Sequence, residues 1–227
     1  RIDHLSTVST PKTPNYIEIQ YDNDLFARED HYYTQGISIV AVYRSFKKNP
    51  INSILVDLPD FESEKFGISL NHAVFTPTSI LSDSILKNDR PFSANWTVGF
   101  FKTVIIAAKK RQFSSELELG LIGPSAFGKE MQTGIHRWTN NNLPRGWEHQ
   151  LKNAPIVNYS LQIDQQFLGF KSLFSMVGRT KASIGSYQTN FNLGLDLHLG
   201  QRNNPFSDKI HKFEYFIYSK SNLKLVG

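Results

Sequence analysis

The chain contains no cysteine. Disulfide cross-links, thiolate metal sites and a cysteine nucleophile are therefore excluded, and redox chemistry gives no hint of compartment. No apolar run approaches the roughly 20 residues of a membrane-spanning helix. Nor does a hydrophobic leader open the sequence, which reads as a mature chain or a cytosolic one. No Lys/Arg run is longer than Lys109-Lys110-Arg111, and no nucleic-acid motif accompanies the net charge of +5 over 227 residues. A mildly basic surface suits an anionic partner, but nucleic acid is not the expected one. There is no GxSxG turn, and no histidine is placed beside Ser125, so a serine nucleophile lacks support.

What is abundant is alternation. Ile17, Ile19 and Tyr21 interleave with Glu18, Gln20 and Asp22, and the pattern recurs at 36–39, 66–71, 116–121, 157–164 and, most regularly, 191–200. Segments 95–107 and 212–218 read as strands with poorer alternation. A period of two with one apolar face and one face of Gly, Ser, Asn, Gln, Asp and Glu predicts antiparallel β-structure. Two architectures accommodate it. A soluble sandwich or barrel turns the apolar faces toward each other; a transmembrane β-barrel turns them toward lipid and lines its interior with the small and polar set. Strand length, the small or polar second face, and aromatics near strand ends (Tyr16, Tyr32, Tyr33, Tyr43, Trp96, Phe213, Tyr218) favour the membrane version. About eight or nine strands are expected, with Leu225-Val226-Gly227 opening another. The chain reads as one domain over 1–227, with a polar arm at 1–15 and loops at 23–34, 76–91 and 123–155.

The last loop carries the densest chemistry. Gly123-Pro124 ends the preceding strand, Ser125 can cap, Glu130 lies near the positive end of a helix dipole, and Asn140 to Pro144 stop it, so the pattern predicts a helix over 125–139. Gln132 and His136, four apart, then share a face. Met131, Ile135 and Trp138 form an apolar stripe expected to pack the helix down. His136 is either a solvent-facing histidine or a general base for water, with a cation or amide stabilising the oxyanion. Asn23, Asp24 and Thr34 meet at one rim if the first two strands form a hairpin. They are hard oxygen donors suited to calcium, although an Asx-turn explains Asn23-Asp24 equally. Lys87 and Arg90 are candidates for phosphate contact, or simply a solvated loop. The other six histidines receive no role.

Asn23-Asp24, Tyr33-Thr34-Gln35-Gly36, Phe75-Thr76-Pro77, Asp89-Arg90-Pro91-Phe92, and Gly123-Pro124 followed by Gln132, His136-Arg137 and Trp147 together give the chain a likeness it would not otherwise have. In that order it resembles the outer-membrane lipid A 3′-O-deacylase family, along its whole length. The resemblance implies a twelve-stranded antiparallel transmembrane barrel in the bacterial outer membrane, its leader already removed, with the site at the extracellular end between the wall and a loop helix. It implies hydrolysis of the 3′-linked acyloxyacyl ester of lipid A in lipopolysaccharide by a calcium-dependent monomer, with His136 as base, Asp24 and neighbouring oxygens holding calcium, and Asn23, Thr34 and Gln132 completing the site. The chain departs from the family pattern in three places. Asn142 stands six after the histidine, where a characterised member is acidic. The lysine expected after the Thr-Pro turn is missing, Lys87 being nearest. The last three or so strands have no counterpart. These departures sustain an alternative, a barrel without the chemistry that acts as a porin-like or lipopolysaccharide-binding protein.

Overall fold

A computed structural model describes residues 15–23, 34–171, 173–201, 206 and 215–226. Nine strands are present among them: β1 (Tyr16–Asn23), β2 (Gln35–Val42), β3 (Ser63–Phe75), β4 (Ser93–Ile106), β5 (Arg111–Ile122), β6 (Ala154–Phe170), β7 (Phe174–Gly185), β8 (Asn190–Gln201) and β9 (Tyr215–Val226). They form one antiparallel sheet in sequence order, each strand hydrogen-bonded to the next. The one α-helix among the described residues, α1 (Gly128–Trp138), interrupts the β5 to β6 connection.

The sheet is polar within and apolar without. Ser69, Thr97, Glu116, Glu118, Asn158, Ser160, Gln162, Asp164, Arg179, Asp196 and His198 are buried, while Ile17, Ile19, Leu70, Leu119, Val157, Leu193 and Leu195 are exposed. Strand register explains the sorting, because inward residues pair across the sheet as Phe101–Glu116–Ser160–Ser183 and outward ones as Val98–Leu119–Val157. Among the described residues there is one sheet, and its apolar face meets no second one. That inversion is the solution for a barrel wall in lipid rather than for a sandwich. Inside, the Arg179 guanidinium joins Asp164 (Nε to Oδ1, 3.1 Å) to Asp196 (Nη2 to Oδ2, 2.6 Å), so charges far from water are paired.

Two expectations change. Strand β7 was not foreseen, because its central outward positions are small (Gly178, Thr180, Ala182) and its inward ones include Arg179 and Lys181, which blunts the alternation. A bulge between Gln166 and Leu168 turns Phe167 onto Gly178, where any Cβ would lie 2.2 Å from the ring. Leu225 and Val226, expected to open a further strand, instead pair with Phe191 and Asn190 and close β9.

The connections fall at two ends. Segments 76–92 and 123–153 share one end with the end of β1 at Asn23 and the start of β2 at Gln35, and we call that end the rim. The tight turns at 107–110 and 171–173 and the connector 43–62 lie at the other.

Candidate active site

Two glycines let α1 lie against the outside of the wall. Gly123 has φ +117, and a Cβ there would stand 2.7 Å from the Asn153 nitrogen, so the turn out of β5 requires glycine. Gly128 opens the helix so close to β4 that a Cβ would meet the Ala94 Cβ at 2.4 Å and the Trp147 ring at 2.7 Å. Around this contact Val74, Phe92, Ala94, Ala126 and Trp147 form a small apolar core outside the barrel, with Phe92 and Trp147 rings 4.8 Å apart.

The helix is shorter than expected and turned over. Residues Pro124–Ala126 form a separate 3₁₀ turn, and the residue before the helix is Phe127, in the left-handed region with no side-chain cap. Ser125 is not a cap. Its backbone N–H donates to Asn153 Oδ1 at 3.0 Å, and its hydroxyl accepts from Asn153 Nδ2 at 2.9 Å. The packed face is Gly128, Gln132 and His136, whereas Trp138 of the supposed packing stripe is 87% exposed. Met131 alone of that stripe reaches the small core. The wall beneath offers polar groups and demands close approach, and the face with a glycine and two polar side chains meets both conditions.

Gln132 and His136 are thus brought together, 1% and 6% exposed. Trp147 Nε1 donates to Gln132 Oε1 at 2.8 Å, which fixes the amide and leaves Gln132 Nε2 buried without a hydrogen-bond partner. His136 Nδ1 lies 2.5 Å from the main-chain carbonyl of Asn142. A carbonyl only accepts, so Nδ1 carries the proton and Nε2 is the basic nitrogen. At position 142, where the chain departs from the family pattern, the group that meets the imidazole is the backbone carbonyl.

The wall contributes residues that the sequence did not single out. His72 is buried, donates from Nε2 to the Ala126 carbonyl at 2.8 Å, and stacks 4.5 Å from Trp96. It ties the start of the helical segment to β3, and its Nδ1 has no partner. Gln35, paired with Val74 in register, is also buried with an unpartnered Nε2. Their signal was faint: a histidine on the apolar parity of β3, and a glutamine opening β2.

Thr34 is buried at the same rim. Its N–H donates to the Val74 carbonyl at 3.0 Å and its hydroxyl lies 2.9 Å from that of Thr76. Asn23 ends β1 opposite Gln35, in the register row that continues to Val74 and Ala94. Asp24 lies outside the described residues. Among those described, no group of three or more His, Asp or Glu is arranged to hold a metal. Arg90 is brought in, its guanidinium 4.2 Å from the centre of the Phe75 ring at the end of β3. Lys87 is exposed on the same loop and not drawn into the cluster. The loop is folded by Asp89, whose carboxylate accepts from the Thr78 hydroxyl at 2.6 Å and N–H at 2.7 Å. These bonds, the hydroxyl's first, hold the Asp89 carboxyl below its ordinary pKa.

An antiparallel sheet with lipid-facing apolar positions, a polar interior, and a buried Gln/His pair on a helix against its outer rim defines an outer-membrane barrel with a site on its wall. The family model described as outer membrane protein LpxR matches residues 4–227, and the chain belongs to that family. LpxR from Salmonella typhimurium has a similar fold, with a TM-score of 0.70 at 17% identity over 93% of this chain and 76% of that one. No curated protein sequence matches the chain.

Proposed function

We propose that the protein is a lipid A 3′-O-deacylase that acts at the outer-membrane surface. Family membership supports the location and the class. The observation that carries the reaction is the buried pair on α1, a His136 imidazole oriented through Nδ1 by the Asn142 carbonyl and a Gln132 amide oriented through Oε1 by Trp147.

With Nδ1 protonated, His136 Nε2 takes a proton from water, and the water oxygen adds to the ester carbonyl carbon. Negative charge develops on the carbonyl oxygen, and the unpartnered Gln132 Nε2 is a donor available to it. Collapse breaks the bond between the acyl carbon and the sugar 3′ oxygen. The imidazolium returns its proton to that oxygen, leaving an acyloxyacyl carboxylic acid and a free 3′-hydroxyl.

Calcium is the proposed cofactor. The Asn23, Asp24 and Thr34 side chains are hard oxygen donors by residue type, suited to calcium and not to zinc or copper. When bound, the ion would polarise the ester carbonyl. Arg90, and Lys87 on the same loop, are the cations proposed to meet a phosphate of the substrate. A monomer suffices, since every proposed group comes from one chain.

Mass spectrometry of lipid A incubated with the folded protein in detergent, with calcium and with chelator, tests the proposal. Loss of the 3′ acyloxyacyl mass in calcium alone is expected. Unchanged lipid A in both samples refutes it.

A further inference from the structure

Along one flank of the helix that carries Gln132 and His136, about 100° round from that pair, runs an apolar stripe whose two ends are exposed and whose Met131 also touches the small apolar core. Phe127 is 63% and Trp138 87% exposed, and with Met131 and Ile135 they stand at i, i+4, i+8 and i+11, one continuous stripe. Leu143, shortly after the helix, and Ile85, on the 76–92 loop, are also exposed. Apolar groups of this size on the open side of a short helix mark an interaction surface.

The wall tells what meets it. One register row runs Ile19, Ile39, Leu70, Val98, Leu119, Val157, and all but Val98 are 37% exposed or more, as expected where a barrel faces hydrocarbon. The next row toward the rim is Tyr21, Ile37, His72, Trp96, Leu121. Tyr and Trp at this level are the aromatic girdle of a transmembrane barrel, found where acyl chains give way to headgroups. The helical segment is fastened to that row, since Ala126 is bonded to His72, and Gly128 sits on Ala94 one row higher. Helix α1 therefore lies at girdle height outside the barrel, and its stripe continues the lipid-facing wall. Lys129 and Arg137, exposed on the flank of the helix away from the stripe, have the character of groups that reach up to phosphates from an interfacial helix.

We propose that α1 is seated in the outer leaflet of the membrane, with Phe127, Ile135 and Trp138 among the upper acyl chains and the Gln132/His136 face held at the depth of the lipid ester bonds. The partner is the lipid surface itself. The inference rests on the barrel's place in a membrane and not on the deacylase reaction, so loss of either leaves the other standing.

The test is fluorescence of the refolded whole chain in phosphatidylcholine vesicles, comparing the protein with Trp138→Phe. The variant should fold, since an 87% exposed ring has little packing to lose. The difference between the two spectra isolates Trp138 from the part-buried Trp96 and the buried Trp147. Blue-shifted difference emission, quenched more by phosphatidylcholine brominated near the headgroup end of the chains than by chains brominated deep, and little by iodide, is the expected result. A second reporter, Ile135→Trp in the Trp138→Phe background, should behave alike. A red-shifted signal quenched by iodide would place the stripe in water and overturn the proposal. So would a signal that neither brominated lipid nor iodide reaches, the signature of a stripe covered by protein or by a second copy of the chain.

Discussion

The imidazole Nδ1 of His136 is held by the backbone carbonyl of Asn142 at 2.5 Å, across a helix terminus where Asn141 N–H also returns to the His136 carbonyl at 2.8 Å. The tautomer is therefore set by main chain, whatever side chain stands at 142.

Asn142→Ala should keep lipid A hydrolysis within a few fold of the unaltered protein, and its kcat should rise with pH along the same limb. Asn142→Pro, which constrains the backbone that presents the carbonyl, should lower kcat by at least about tenfold, an effect of about 1.4 kcal/mol. Steady-state kinetics on the two variants check this. Equal losses in both would assign the role to the side chain.

Trp147→Phe keeps a ring against Phe92 and Ala94 but removes the N–H that holds Gln132 Oε1. Losing one buried hydrogen bond costs about 1–3 kcal/mol. Because Gln132 is assigned to charge developing in the transition state, the loss should fall on kcat with KM little changed. A kcat/KM split confined to KM would point to a packing role.

Gly128→Ala introduces a Cβ 2.4 Å from that of Ala94. Overpacking of this kind costs about 1–3 kcal/mol, and displacing the helix by about 1 Å can cost about a hundredfold in rate. Activity should collapse while the barrel stays folded, as heat-modifiable gel mobility would report. Gly134→Ala, whose Cβ meets nothing within 4 Å, is the control and should be silent or slightly stabilising.

The loop over 76–92 should loosen in acid. The hydrogen bonds from Thr78 lower the folded-state pKa of Asp89. Such a group contributes order that is fully present above its unfolded pKa of about 3.9 and is lost as pH falls through the lower folded value. Hydrogen exchange in this loop should accelerate through that window. Asp89→Asn should exchange fast at neutral pH and show no such acid limb.

The barrel was legible in the sequence because lipid and interior impose opposite chemistry on alternate residues, and Ile17 to Asp22 or Phe191 to Gly200 record it without interruption. Strand β7 was not, since Gly178, Thr180 and Ala182 on its lipid side are too small to register as an apolar face. The Gln132/His136 pair followed from helical spacing alone. Which face of α1 packs did not, because the rule that apolar stripes turn toward protein assumes water on the other side. Here Gly128 and the two polar residues meet the wall, and Trp138 is left outside. His72 and Gln35 gain their meaning only from strand register beneath the helix, and the service of Asn142 is a backbone one that residue identity does not record.

Hydrolysis of lipid A in water enriched in heavy oxygen, by the folded protein and by His136→Ala, tests the central claim most directly. With the unaltered protein, mass spectrometry should find the heavy atom in the released acyloxyacyl acid and none in the 3′-hydroxyl of the sugar. His136→Ala should release acid at least about a hundredfold more slowly. Full activity in His136→Ala, or label in the sugar hydroxyl, would contradict the assignment of His136 as the base that delivers water to the ester carbonyl.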